Sequence, residues 1–302
     1  SAFRLDGEWG DNNPNNPFVT EEIEDEFLFD NLQAWIRNYI RYAYQELDVE
    51  YVLLGGDTSI IPDKKLHIEF FSGDTYDVPT DLYYGGLDNS FYYEEENQED
   101  IFMDFVPEVA VGRACVENSI EVNNFVDKTL AYMNSGNDPY LNKILLAGEY
   151  LGFLDWGYDD GVDYGGNWLD QMIDVCIEDY YYKPNSRHVY RTLTSGMPSS
   201  EYEFDKLYDK YVNNFNPAAP ILTGWKKSDI LDKINSNYHF ILHDGHGNEF
   251  HNMKLDHPYR LRNGVVGLPS NDLDEMKNTK PFFIYSCACN SGAFDDYNVL
   301  GT

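Results

Sequence analysis

NYHFILHDGHGNEFH, residues 237–251, and PFFIYSCACNSGAF, residues 281–294, decide the fold between them. Each opens on a short apolar run of the kind that makes a buried strand. Each then breaks into small and polar residues where that strand should end. One break carries His246-Gly247 and the other Ala288-Cys289. In an open α/β sheet, ligands bind beyond the carboxyl ends of the strands. A histidine and a cysteine at two such ends can face one crevice.

That pairing has a chemical purpose. A thiol is a weak nucleophile until a base takes its proton, and an imidazole can do so and later protonate a leaving amine. Gly247 leaves the adjoining backbone N–H unobstructed, so the N–H groups of Gly247 and Cys289 together suit a developing oxyanion. Gly292 lets the chain turn away from the sheet after the thiol. Either element alone is weak evidence, because a lone cysteine at a strand end is usually a small buried hydrophobe and a lone GHG is often only a turn. Their joint occurrence after two apolar strands is much more specific. Cys287 competes with Cys289 for the role. Strand alternation puts both on one side, so periodicity leaves the choice open.

Working outward, the second half of the chain alternates strand and helix. KILLAGE (143–149), RHVYRTL (187–193), YHFILH (238–243) and FFIYSC (282–287) read as strands. Helices are expected over 167–178, near 201–213 and over 226–236. Such alternation predicts an α/β fold with a mostly parallel sheet flanked by helices. In the first half, residues 21–47 show helical apolar spacing, 51–57 and 106–113 read as strands, and 117–133 as a helix. Residues 68–99 read as a loop and strand excursion with an acidic tip. The Gly55-Gly56 pair is not followed by the Lys-Ser/Thr of a phosphate loop. SGNDP, 135–139, marks an expected boundary between an N-terminal α/β subdomain with an extended arm (1–135) and a catalytic subdomain (136–302).

At this point the sequence resembles the gingipains and their relatives, cysteine peptidases of the caspase-like fold. GHGNE and ACNSGAF carry the resemblance. YVLLGGDTSIIP (51–62), VPEVAVGR (106–113) and KILLAGE extend it in the same order, over roughly residues 20–295. The resemblance implies a cysteine endopeptidase with His246 and Cys289 as its dyad and a second subdomain of caspase-like fold. It also implies that Glu149, at the end of its own strand, orients the histidine. The family pattern, Ala-Cys, two residues, Gly, one residue, Phe, fits Cys289 and not Cys287. In caspase-like peptidases the segment after the nucleophile helps wall the specificity pocket. Since the chain stops at Thr302, part of that wall is expected to be missing.

The loop DWGYDDGVD, 155–163, carries Asp155, Asp159, Asp160 and Asp163 at a spacing that misses the EF-hand pattern. It reads as a polar cap to the next helix, as a structural Ca²⁺ loop using Asp155, Asp159 and Asp160, or as the source of a pocket carboxylate. In Arg-specific relatives an acidic residue in the equivalent loop receives the P1 side chain. Asp163 is the candidate here, with a basic P1 residue preferred. The chemistry itself requires no cofactor.

Fifty-three acidic residues stand against 21 basic ones, a formal charge of −32. That balance excludes a basic nucleic-acid-binding surface and favours protein or peptide substrates that are themselves basic. No apolar run reaches the length of a membrane span, and nothing sets the oligomeric state. The richness in Tyr, Asp and Asn with few Lys suits a secreted or cell-surface protein. The chain begins at Ser1 without a Met and reads as a processed or engineered fragment. Cys115 and Cys176 read as free thiols, with a disulfide between them as the alternative. Two further functional readings stand beside the peptidase. One is a non-catalytic, Ca²⁺-stabilised surface or interaction module of the same fold. The other is a zinc hydrolase using His243, His246, His251 and His257, although no HExxH motif is present.

Overall fold

The computed structural model describes residues 31–69, 75–88, 106–152, 163–176, 202–211, 222–248, 251–256 and 271–295, with scattered positions between 2 and 17. These residues form two units. One runs through Phe125 and includes Ala293, Phe294 and Asp295; the other runs from Val126 to Gly292. The division falls inside a helix and precedes the 135/136 boundary expected from the turn residues.

In the first unit, helix α1 (Leu32–Leu47) is capped by Asn31, whose side chain accepts from the Ala34 N–H at 3.1 Å. Residues 21–30 of the expected helix lie outside the described residues. Strand β1 (Tyr51–Gly55) is followed by the antiparallel hairpin β2 (Lys64–Glu69) and β3 (Thr75–Thr80), then by the one-turn helix α2 (Leu82–Gly85). Strand β4 (Ala110–Ala114) pairs parallel with β1, and helix α3 (Ser119–Met133) follows. Ile40, Leu54, Tyr83, Tyr84, Leu87 and Val109 make the core.

Two arginines sit on the buried side of α1. Arg37 donates to the Gly86 carbonyl and Arg41 to that of Leu87. Burial pulls both guanidiniums below their ordinary pKa, Arg41 to about 10. Arg113, in the VGR stretch of β4, grips Asp81 through two bonds of 2.8 and 2.7 Å. It also donates to the carbonyls of Gly56 and Ile61 and lies 5.3 Å from the Phe294 ring centre. Cys115 is a free thiol.

The second unit holds a four-stranded parallel sheet in the order β15-β11-β5-β8. Its strands are β5 (Lys143–Gly148), β8 (Glu203–Tyr208), β11 (Phe240–Asp244) and β15 (Phe283–Cys287), with short ladders between them along the chain. Those ladders are β6 (Tyr150–Gly152) with β7 (Asp163–Tyr164), β9 (Lys210–Tyr211) with β10 (Leu222–Thr223), and the meander β12 (Gly247–Asn248), β13 (His251–Asn252) and β14 (Leu255–Asp256). Helices α4 (Gly165–Cys176) and α5 (Lys227–Asn235) complete the unit.

β5 reads as an unbroken apolar run because both its faces are covered. Leu145 and Ala147 pack with Ile230, Leu231, Ile234 and Ile241. Leu146 packs on the opposite side with Leu169 of α4. The chain runs from β5 out to β8 and returns to β11 on the other side of β5, which places the switch in strand order between β5 and β11. α4 begins against the carboxyl ends of the strands. A Cβ on Gly165 would come within 2.0 Å of the Asp244 carbonyl, and one on Gly148 within 2.2 Å of the Gly166 nitrogen. The Gly165-Gly166 pair is what admits this approach.

The segment expected as a helix near 201–213 contains β8 instead. Phe204, Leu207, Tyr208 and Tyr211 stand at helical spacing, i, i+3, i+4 and i+7, which is why the sequence reads as a helix there. The parallel pairing of Glu203–Tyr208 with β5 decides for the strand. The expected strand 187–193 lies outside the described residues. Among the described residues, no helix is long and apolar enough to cross a membrane.

Candidate active site

Parallel register brings the two motifs side by side. Asp244 of β11 pairs with Cys287 of β15, and the Gly245 N–H donates to the Cys287 carbonyl at 3.1 Å. His246 and Cys289 therefore each lie two residues beyond a matched position on neighbouring strands, which run about 4.8 Å apart. The loops touch. A Cβ on Gly247 would stand 2.8 Å from the Ala288 Cβ and 3.2 Å from the Cys289 carbonyl oxygen. Glycine at 247 thus answers a close approach to the cysteine segment. After Cys289 the chain turns at Asn290, with φ +53°, a conformation asparagine tolerates better than most residues. The Ser291 hydroxyl donates back to the Ala288 carbonyl at 2.9 Å. Both Cys287 and Cys289 are exposed, as is His246.

Cys287 ends its strand beside Tyr285, two residues back on the same side. The Cys287 sulfur, by its charge and its hydrogen bond, pushes the Tyr285 hydroxyl above its ordinary pKa. This contact is absent from the pattern that selects Cys289.

Glu149 is placed differently from expectation. Its carboxylate accepts from His243 Nε2 at 3.0 Å, not from His246. Both partners are buried, with side-chain exposures of 6% and 0%. His243 Nδ1 shares a 2.8 Å hydrogen bond with Ser286 Oγ, whose hydroxyl donates to Asn252 Oδ1 at 3.0 Å. The reason lies in the path of the chain. His243 is the last histidine inside β11, and Gly245 then crosses directly over the carboxylate. A Cβ there would lie 2.5 Å from His243 Nε2 and 2.6 Å from Glu149 Cγ. His246 emerges beyond that crossing, and its Nε2 meets the Tyr150 carbonyl at 2.8 Å. A carbonyl only accepts, so Nε2 carries the proton and Nδ1 is the nitrogen left for another partner.

The histidines do not converge as a zinc site would require. His243 is committed to Glu149 and Ser286, His246 to Tyr150, and His251 to Asp256 at 2.8 Å. His257 lies outside the described residues, and among the described ones no three His, Cys, Asp or Glu side chains cluster as metal ligands. Asp163 starts β7, paired with Gly152 of β6, which puts its backbone on the short ladder that leaves Glu149. Asp155, Asp159 and Asp160 lie outside the described residues.

A family model described as peptidase family C25 matches residues 18–301. The chain belongs to peptidase family C25. The resemblance read from GHGNE and ACNSGAF is therefore a family relationship. Among solved structures, the Arg-specific cysteine proteinase gingipain R (RgpB) superposes with a TM-score of 0.53 at 20% identity, over 92% of this chain and 49% of that one. The complex of Porphyromonas gingivalis RgpB pro- and mature domains gives 0.51 at 18% identity, over 89% and 48%. The shared fold is the caspase-like parallel sheet with flanking helices. The C25 chain spans about half the length of these solved chains. No curated protein matches it. The residue that the sequence does not mark is Tyr150, whose backbone carbonyl holds His246, because a backbone acceptor leaves no mark in residue type. His243 is marked in the sequence as a strand residue and a candidate zinc ligand, but not as the partner of Glu149.

Proposed function

We propose that this C25 chain carries the catalytic machinery of a cysteine endopeptidase that works through Cys289 and His246. The observation that carries the proposal is the matched register of β11 and β15, with Gly247 packed against the Ala288-Cys289 backbone. In the reaction, His246 Nδ1 takes the Cys289 proton, and the sulfur attacks the scissile carbonyl carbon. The N–H groups of Gly247 and Cys289 receive the oxyanion. The C–N bond then breaks, the imidazolium gives its proton to the leaving amine, and a thioester remains. Water, deprotonated by the same imidazole, attacks the thioester and frees the acid and the thiol. The Nε2–H bond to Tyr150 suits this cycle because it keeps the ring in one tautomer and supports the imidazolium once formed.

Substrates with Arg or Lys at P1 belong to the proposal. Gingipain R is Arg-specific, and the −32 charge of this chain favours basic peptides. Asp163 is the residue we assign to the P1 cation.

Cys289→Ala should reduce peptide hydrolysis by about 10³-fold or more, while Cys287→Ala keeps most of it. A peptide chloromethyl ketone should label Cys289 rapidly, and His246→Ala should slow that labelling. Absence of both turnover and labelling would favour the non-catalytic module; an inactive Cys287 variant beside an active Cys289 variant would reassign the nucleophile.

A further inference from the structure

We propose that Asp209 and Lys254 are positioning residues for His246, acting through the backbone of Tyr150. The inference rests on His246 being the base described above. Tyr150 is gripped on both sides of its Cα. Its carbonyl accepts from His246 Nε2 at 2.8 Å, and its N–H donates to Asp209 Oδ2 at 3.1 Å. The direction of that carbonyl, and with it the set of the imidazole, is tied to where the Asp209 carboxylate stands.

Asp209 is firmly held. It directly follows β8, its N–H donates to the Gly148 carbonyl at 2.9 Å, and its side chain is 8% exposed. Lys254 Nζ donates to both carboxylate oxygens, at 2.7 and 2.9 Å, and to the Trp225 carbonyl at 3.0 Å. The same ammonium lies 4.0 Å over the Trp225 ring. Trp225 in turn donates through Nε1 to the Gly148 carbonyl at 3.0 Å. Gly224 leaves the space the carboxylate needs, since a Cβ there would fall 1.9 Å from Oδ1.

Lys254 occupies a costly position. Met253 and Lys254 form the two-residue turn between β13 and β14, with φ of +53° and +57°. Such a turn favours Asn-Gly, which has no long cation to offer. A lysine here is explained by what its ammonium reaches. The turn belongs to the meander that begins at Gly247, next to His246. The ion pair therefore joins the segment that carries the base to Asp209 at the end of β8, and Asp209 in turn holds the N–H of the residue whose carbonyl is the acceptor. Neither Asp209 nor Lys254 touches a reacting atom in the proposed mechanism.

The test uses Asp209→Asn, Lys254→Met, Lys254→Arg and Gly224→Ala. The last displaces the carboxylate without removing a charge. Two readouts are needed. The first is kcat and KM on a peptide substrate. The second is the protonation pattern of His246 from nitrogen-15 NMR in a Cys289→Ala background, which does not depend on turnover. Asp209→Asn, Lys254→Met and Gly224→Ala should each lower kcat by between about 10- and 100-fold with little change in KM. Each should also turn the fixed Nε2–H tautomer of His246 into a mixture. Lys254→Arg should restore both. Folded variants that keep the native tautomer and native kcat would overturn the proposal. So would Lys254→Arg behaving like Lys254→Met, which would reduce the pair to general scaffolding. If Asp209→Asn does not fold, Gly224→Ala and the Lys254 pair decide by the same criteria. Should His246→Ala retain full activity, the assignment of His246 as the base fails, whereas the tautomer shift still reports whether Asp209 sets this ring.

Discussion

His243 and His246 stand three residues apart and have different environments. His243 points into the unit from within β11, with neither ring nitrogen exposed to a substrate, whereas His246 is exposed beyond the strand end. Glu149 belongs to the first environment. Removing one member of a buried, hydrogen-bonded pair leaves the other unsatisfied, which costs about 3 kcal/mol or more. Glu149→Ala should therefore lose on the order of 3 kcal/mol in urea unfolding. Glu149→Gln, which keeps an acceptor for His243 Nε2, should lose about 1 kcal/mol. A Glu149→Gln protein of native stability that has lost its turnover would return Glu149 to the role first expected of it, orienting His246. The sequence made the juxtaposition of the His246-Gly247 and Ala288-Cys289 segments legible, because small residues at strand ends have a recognisable pattern. It placed Glu149 at a strand end as well. It could not say which nearby imidazole the carboxylate would meet, because that depends on Gly245 crossing over it.

At the scale of elements, strands with unbroken apolar runs were legible and those with mixed spacing were not. KILLAG and FILHD are covered or paired on both sides and read as strands from composition alone. EFDKLY is a strand only because β5 offers it an edge. Short meander strands depend still more on side-chain anchors. Asp272 is one such anchor for β14. Its buried carboxylate accepts from Lys227 Nζ at 2.8 Å and from the Asp256 N–H at 2.8 Å. Burial alone would raise its pKa, but the two hydrogen bonds and the Lys227 charge outweigh burial and hold it below the ordinary aspartate value. That ordinary value, about 3.9, describes the unfolded chain. Between the two values the unfolded state binds more protons, so stability rises with pH there. The contribution of Asp272 is complete above about pH 4 and is lost as pH falls through the folded-state value. Asp272→Asn should cost about 1–2 kcal/mol at neutral pH, and the difference from the native protein should shrink in strong acid. A difference that persists unchanged at acid pH would remove the ion pair as its source.

At the scale of the molecule, alternation of strand and helix was enough to set the α/β class. The line between units was not legible, because turn residues such as SGNDP report a local reversal of the chain. The two units part at Phe125, inside α3, where no residue type marks the line. Net charge, by contrast, is wholly legible, and it separates two sources of preference for basic peptides. A carboxylate in a P1 pocket acts at contact distance and is screened little by salt. A surface charge of −32 acts over a Debye length, about 30 Å at 0.01 M salt and about 3 Å at 1 M. Peptides with Arg at P1 should therefore split by their flanks. For one with Lys-rich flanks, kcat/KM should fall on the order of 10-fold as salt rises from about 0.01 to 0.5 M, through loss of steering. For one with uncharged flanks, it should change by less than about 2-fold, while its advantage over a Leu-P1 peptide persists. Asp163→Asn should abolish that persistent advantage and leave the salt slope of the Lys-rich peptide in place. Equal salt slopes for both flanks would show that salt acts on the enzyme itself. An unchanged P1 profile in Asp163→Asn would remove that residue from the pocket.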